Sequence, residues 1–248
     1  MRDSLGYRLK IGTIAPSTNT IVQPEFARMQ PNGVTAHMSR IVTPNVSLSD
    51  DKEFTAHIHR MRAGMDEAID RVMTAKPDCL ANGLSLEAFW DGLDGSLELV
   101  RKIEEKNGIK CSMGNNAILE ALNVLDKPKN ISLITPHKPL GDEKVKTFFL
   151  KAGYNVIDLF SFNINKPVDI CHVKKTDLKH AIEQVNLKSP DAIIQVGTGL
   201  SMADLAGEAW YWLNKPVIAI NTAIFWHALR QNNIYDKIEG FGPLLEKF

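Results

Sequence analysis

Four landmarks recur in the same order in the two halves of the chain, and this repetition constrains the fold more than any other feature. Ile14-Ala15-Pro16-Ser17 is echoed by Ile134-Thr135-Pro136-His137. Pro77-Asp78, an apolar run and then Gly83-Leu84-Ser85 are echoed by Pro190-Asp191, an apolar run and Gly199-Leu200-Ser201. Asn115-Asn116-Ala117-Ile118 is echoed by Asn221-Thr222-Ala223-Ile224. The spacing is close to half of the 248 residues, so one α/β lobe is repeated and the chain is two small lobes rather than one large domain.

Each lobe alternates short β-rich runs with helical ones, the signature of a parallel sheet covered by helices. The expected strands are 9–14, 34–38, 79–82, 110–113, 131–135, 156–160, 192–196 and 217–220. Phe54, Ile58, Met61, Met65, Ile69 and Val72 recur at helical spacing and predict one continuous helix over 54–73. Further helices are expected over 96–106, 116–125, 142–152, 176–186, 202–213 and 222–231. The fold class is α/β, with two pseudo-symmetric flavodoxin-like lobes, each a parallel four-stranded sheet with flanking helices. Residues 1–125 are expected to form the first lobe and 126–221 the second, with 222–248 packing back on the first.

Composition narrows the partners. Twenty-nine basic side chains balance 29 acidic ones, which removes the electrostatic argument for a nucleic-acid or anionic-membrane partner. The longest apolar runs, such as Ala192-Ile193-Ile194, are strand-sized and far short of the roughly 18 residues of a membrane span. The start, Met1-Arg2-Asp3-Ser4-Leu5-Gly6-Tyr7, has neither the apolar core nor the small-residue cleavage site of a secretory leader, so a cytoplasmic location is expected. Cys79, Cys111 and Cys171 are too scattered for a disulfide framework or a metal motif, and His57 and His59 point to different sides of a helix. No metal and no cofactor are expected. Trp210, Tyr211 and Trp212 are assigned to packing between lobes or to a homo-oligomer contact.

In an open parallel sheet the ligand sits beyond the carboxyl ends of the strands, and every repeated landmark lies at such an end. Two lobes facing each other would build one cleft from both sets of loops. Pro16, Ser17 and Asn19 lie in a loop that offers hydroxyl, amide and backbone donors to a carboxylate, although Ser, Thr and Asn are also ordinary helix caps. The turns containing Gly83, Leu84 and Ser85, and Gly197, Thr198, Gly199 and Leu200, could hold an oxyanion on backbone N–H groups and hydroxyls. Gly197-Thr198-Gly199 lacks the third glycine of a dinucleotide fingerprint, and no Walker sequence occurs. His137 is the side chain in these loops that could move protons near neutral pH. His227 reads as a packing residue, and Glu87 with Asp91 as a solvated helical face.

These loops together resemble the aspartate/glutamate racemase superfamily in its maleate isomerase and arylmalonate decarboxylase branch. Pro16-Ser17-Thr18-Asn19-Thr20 is similar to the Pro-Ser-Ser-Asn-Thr loop of maleate isomerases, and His37-Met38-Ser39-Arg40 to their His-Ser-Ser-Arg. The resemblance implies that Asn19 and Asn165 contact a substrate carboxylate and that Ser85 binds an oxyanion. Phe225-Trp226 ahead of Ala228-Leu229-Arg230 looks decarboxylase-like. Racemases and isomerases of this kind use one cysteine from each lobe, whereas here the two positions fall at Gly83 or Leu84 and at Gly197, and the relatives' substrate-contacting tyrosine is His137.

The expectation is therefore a cofactor-independent enzyme acting on a small carboxylic acid through an enolate or oxyanion, decarboxylase-like and without cysteine. Its catalytic residues would be His137, Ser85 and Thr198. The alternatives are a hydrolase of a small amide, lactam or ester, an isomerase working by a modified route, or a non-catalytic metabolite-binding protein.

Overall fold

The computed structural model describes residues 3–248, so Met1 and Arg2, the first residues read for a leader, lie outside the described residues. The apolar runs form the strands β1 (Leu9–Pro16), β2 (Val34–Ile41), β3 (Cys79–Ala81), β4 (Lys110–Ser112), β5 (Asn130–Thr135), β6 (Asn155–Ser161), β7 (Ala192–Gln195) and β8 (Val217–Ala219). They build two four-stranded sheets, ordered β2-β1-β3-β4 and β6-β5-β7-β8, in which every pairing is parallel. The two orders are the same, which is the duplication seen in the sequence. Parallel strands covered on both faces carry apolar side chains on both, and β7 shows why its run is unbroken. Ala192 and Ile194 belong to the larger core, which takes residues from both lobes, while Ile193 on the other face belongs to a smaller core of the second lobe.

Helices cover the sheets: α1 (Val22–Met29), α2 (Asp51–Ala63), α3 (Met65–Met73), α4 (Gly92–Asn107), α5 (Gly114–Val124), α6 (Pro139–Lys151), α7 (Lys175–Asn186), α8 (Ala203–Leu213), α9 (Ile220–Gln231) and α10 (Pro243–Lys247). Two 3-10 turns, Leu86–Ala88 and Pro167–His172, complete the chain. The six apolar residues of 54–73 are all buried on one stripe, but the single helix expected there is two. Gly64 ends α2 and starts α3, and a Cβ at that position would stand 2.8 Å from Cγ2 of Ile41 on β2. The helix passes this close to the sheet only without a side chain. The helix α9 lies against α5, β3 and β4 of the first sheet, and α10 packs on α9.

The structure also resets the register of the repeat. Asp78 accepts from the Lys10 N–H at the edge of β1, and Asp191 accepts from the Asn130 N–H at the edge of β5. The Gly83 N–H donates to the Ile14 carbonyl, and the Val196 N–H to the Ile134 carbonyl. Gly83 therefore corresponds to Val196, not to Gly199, and Ser85 corresponds to Thr198. Pro16 matches Pro136, as read, and Ser17 matches His137. The match of Gly83-Leu84-Ser85 to Gly199-Leu200-Ser201 is a coincidence of composition three residues out of register.

Trp210 is partly buried against the larger core, Tyr211 bonds Glu246 of α10, and Trp212 is half-exposed with the Lys179 ammonium 5.4 Å above its ring. Among the described residues no helix is long and apolar enough to cross a membrane.

Candidate active site

The strand ends of both sheets meet at a cavity of ≈ 80 Å³. Its floor is made by Pro16, Thr18 and Asn19 after β1, Ser85, Leu86 and Glu87 after β3, Pro136 and His137 after β5, and Gly197, Thr198 and Gly199 after β7. Leu48, Phe54, His57 and Ile58 at α2 and Pro167, Ile170 and Cys171 of the second 3-10 turn close it from above. The two roof segments are tied across the lobes: the Leu48 N–H donates to the Asn165 carbonyl at 2.8 Å, and the Val168 N–H to Asn45 Oδ1 at 3.1 Å.

The loop at 197–199 fits under this roof because it has little bulk. A Cβ on Gly197 would stand 2.5 Å from Pro136 Cδ, and one on Gly199 2.8 Å from Ile170 Cγ2. Among the described residues the backbone N–H groups of Thr198 and Gly199 donate to no acceptor within the chain, and neither does the Ser85 hydroxyl. Backbone and hydroxyl donors left unpaired at a cavity wall are what an anionic ligand needs.

Other expected donors are already committed. Thr198 Oγ1 donates to the Gly83 carbonyl at 3.2 Å and accepts from Asn19 Nδ2 at 3.1 Å, so the hydroxyl expected to act on substrate is a bridge between the lobes. Asn19 Oδ1 takes the N–H groups of Ile21 and Val22 at 2.9 and 3.0 Å, opening α1 as a helix cap does, which leaves one amide hydrogen for a ligand. Five of the expected binding residues stand outside the cavity. Ser17 Oγ accepts from the Thr43 N–H at 2.9 Å, the Gly83 N–H is spent on Ile14, and Leu84 and Leu200 are core residues. Asn165 Oδ1 accepts from Lys138 Nζ, so its amide holds the roof loop.

Charge is supplied from behind. No lysine or arginine lines the cavity, but Arg40 donates to the carbonyls of Pro16 and Asn19 at 3.3 and 2.5 Å and, among the described residues, forms no ion pair. Deeper still, the carboxyl of Glu25 on α1 accepts from the Ala203 N–H that opens α8 (3.1 Å), Ser201 Oγ (3.4 Å) and Asn221 Nδ2 (2.7 Å). Asn221 Nδ2 in turn holds the Thr198 carbonyl at 3.0 Å. Burial pushes the Glu25 pKa up to about 7, with these hydrogen bonds acting against the shift.

Burial also alters the proton carrier expected at His137. It is 6 % exposed, its Nε2 has no hydrogen-bond partner, and desolvation drives its pKa down to about 3. At neutral pH the ring is uncharged, so it cannot serve as an imidazolium acid, although a neutral ring can still donate or accept one hydrogen bond. His227 is a packing residue, with Nδ1 3.1 Å from Ser112 Oγ.

Three titratable cavity residues were not expected from sequence. His57 is buried, with Nδ1 unpartnered and its pKa lowered by burial to about 4. Glu87 is buried in its 3-10 turn rather than solvated, and its pKa is raised by burial. Cys171 puts a thiol against the cavity, with Sγ 3.7 Å from the Thr18 carbonyl and 3.5 Å from the Thr20 nitrogen. Among the described residues no group of three or more His, Cys, Asp or Glu side chains is placed to hold a metal.

The fold has close counterparts of known structure. A maleate cis-trans isomerase of Nocardia farcinica, solved with a covalently bound succinylcysteine intermediate, superposes with a TM-score of 0.86 at 19% identity, covering 97% of this chain and 99% of that one. The maleate isomerase Iso of Pseudomonas putida S16 gives 0.82 at 21% identity over 96% of this chain and 98% of its own. An arylmalonate decarboxylase gives 0.78 at 20% identity over 95% and 98%. At such identities these likenesses speak for the fold. No curated protein sequence matches the chain significantly. The family model described as arylmalonate decarboxylase matches residues 11–245, nearly the full length, and the chain belongs to that family.

Proposed function

We propose that the protein is a cofactor-independent enzyme that acts on a small carboxylic acid, in a decarboxylase-like reaction through an enolate. The observation that carries this reading is the set of unpaired donors at one cavity wall: the Ser85 hydroxyl and the N–H groups of Thr198 and Gly199. Fixed dipoles stabilise negative charge that develops on a substrate oxygen, and in a partly dry site they do so strongly. Asn19, with its remaining amide hydrogen, and the Thr18 segment in front of Arg40 would hold a second carboxylate, while neutral His137 contributes a hydrogen bond.

The apolar side of the cavity sets the substrate's size. Leu48, Phe54, Ile58, Leu86 and Ile170 form the apolar part of a cavity that measures ≈ 80 Å³ in all, about half of the roughly 150 Å³ of an engineered cavity that takes benzene. A cavity of this size favours a methyl-sized substituent over a phenyl ring. Carbon dioxide release should therefore be measured with malonate, methylmalonate and phenylmalonate. The reading expects turnover of methylmalonate well above phenylmalonate and a loss of about 100-fold or more in kcat for Ser85→Ala. Absence of carbon dioxide release from all three, or a Ser85→Ala variant as active as the wild type, would overturn it.

Cys171 favours a second reading, an isomerase in which this thiol adds to an unsaturated acid. Conversion of maleate to fumarate that is abolished in Cys171→Ser would select it.

A further inference from the structure

We propose that Glu87 carries the proton of the reaction and delivers it to the substrate's α-carbon. The inference rests on the reading above that an enolate forms in the cavity. Glu87 is the one carboxyl among the cavity's lining residues, it is 5 % exposed, and it follows Ser85 by two residues in the turn that forms one wall.

The carboxyl is not held as a structural ion pair. Arg62 on α2 is the neighbouring cation, yet its guanidinium bonds Asp91 at 2.7 Å and the Glu87 main-chain carbonyl at 3.1 Å. What faces the Glu87 carboxyl within its own turn is the backbone N–H of Ser85 and its own. Burial raises its pKa against its own N–H, the Arg62 charge and the Ser85 N–H, which moves the balance toward the acid form that can donate. The other candidates in the cavity are worse donors. His57 and His137 are neutral at neutral pH, and the Cys171 thiol is directed at the Thr18 carbonyl.

The step balances without another reactant. The bond from the α-carbon to one carboxylate breaks, carbon dioxide leaves, and the electron pair stays as an enolate whose oxygens rest on Ser85 and the 197–199 loop. The O–H bond of Glu87 then breaks as a C–H bond forms at the α-carbon. Glu87, left as a carboxylate, regains a proton from water when the product leaves, so one proton is consumed per turnover.

The test uses the full chain with methylmalonate as the probe, in water and in D2O, for the wild type, Glu87→Gln and Glu87→Asp. Carbon dioxide release is followed, and propionate alone in D2O reports α-hydrogen exchange, the same proton transfer in reverse. Glu87→Gln should lower kcat at least about 100-fold and abolish exchange while changing KM less than about threefold. Glu87→Asp keeps an acid and should retain measurable turnover, with its alkaline limb displaced. The titratable and charged groups around it are Arg62 and His57 of α2, His137, and Asp91 paired to Arg62, and the two histidines stay neutral across that limb. If Glu87→Gln does not fold, the displaced limb in Glu87→Asp decides, and an unmoved limb overturns the proposal.

A Glu87→Gln variant within threefold of the wild type in turnover and exchange overturns the role of Glu87 and leaves the enolate reading standing. A wild type that exchanges α-hydrogen through Glu87 without releasing carbon dioxide supports Glu87 and overturns decarboxylation. A wild type that does neither overturns both.

Discussion

Glu25 makes a pH dependence that can be worked out in advance. Its carboxyl joins α1 of the first lobe to the start of α8 and to Asn221, which holds the Thr198 carbonyl of the candidate site. Its pKa in the folded protein is about 7, against an ordinary 4.5 in the unfolded chain, so the native state binds the proton more tightly. A raised folded-state value contributes stability that is fully present below pH 4.5 and disappears as pH rises through about 7. Between pH 5 and pH 8 this amounts to roughly 2–3 kcal/mol. Glu25→Gln removes the titration and keeps the shape. Urea unfolding of both proteins at the two pH values gives a double difference in which all other groups cancel. The wild type should lose roughly 2–3 kcal/mol relative to the variant on going from pH 5 to pH 8. A difference that stays constant within about 0.5 kcal/mol would refute the assignment of Glu25 as a buried carboxyl that prefers its proton.

Three further outcomes are expected. Thr198→Val strands Asn19 Nδ2 and the Gly83 carbonyl at the lobe junction, so urea unfolding should show a loss of about 1–3 kcal/mol that Thr198→Ser largely restores. Cys171→Ser should keep decarboxylation within about threefold, because the thiol has no part in that route. Alkylation of the wild type should nonetheless block it by filling a cavity of ≈ 80 Å³, so loss of turnover on alkylation without loss in the serine variant is the diagnostic pattern. His227 is buried neutral with a pKa of about 4, so the unfolded chain takes up its proton first as pH falls below 6.5. Relative to His227→Gln, the wild type should therefore lose about 2 kcal/mol between pH 7 and pH 4.5 in the same unfolding assay.

Much of the fold was legible because it rests on local pattern. All eight strands lie where the apolar runs place them, and the duplication foretold two sheets of one topology. The misreadings have tertiary causes. The periodicity of 54–73 cannot register that Ile41 of another element leaves no room for a side chain at Gly64. The register of the repeat is fixed by hydrogen bonds to β1 and β5, so a short composition match at Gly199 misled by three residues. Even so, the correct register pairs Ser85 with Thr198, the two hydroxyl residues singled out for the site.

At the cavity, sequence located the loops but not the state of their side chains. Glu87 beside Asp91 looks like a solvated helical face, yet the turn there is three residues long and turns Glu87 inward. His57 could have been found, because two histidines on opposite sides of an amphipathic helix leave one facing the interior. Cys171 has no neighbouring motif, and only the meeting of its turn with Thr18 and Gly199 brings its thiol to the cavity. The depressed basicity of His137 is a consequence of burial that no pattern of neighbours in the chain announces.

In the proposed function the cavity binds a small carboxylic acid on Ser85 and the 197–199 loop. A crystal structure with malonate tests it most directly. One carboxylate should lie within hydrogen-bonding distance of Ser85 Oγ and the Thr198 and Gly199 N–H groups, and the other beside Asn19. Malonate bound at another surface with this cavity left untouched would contradict it.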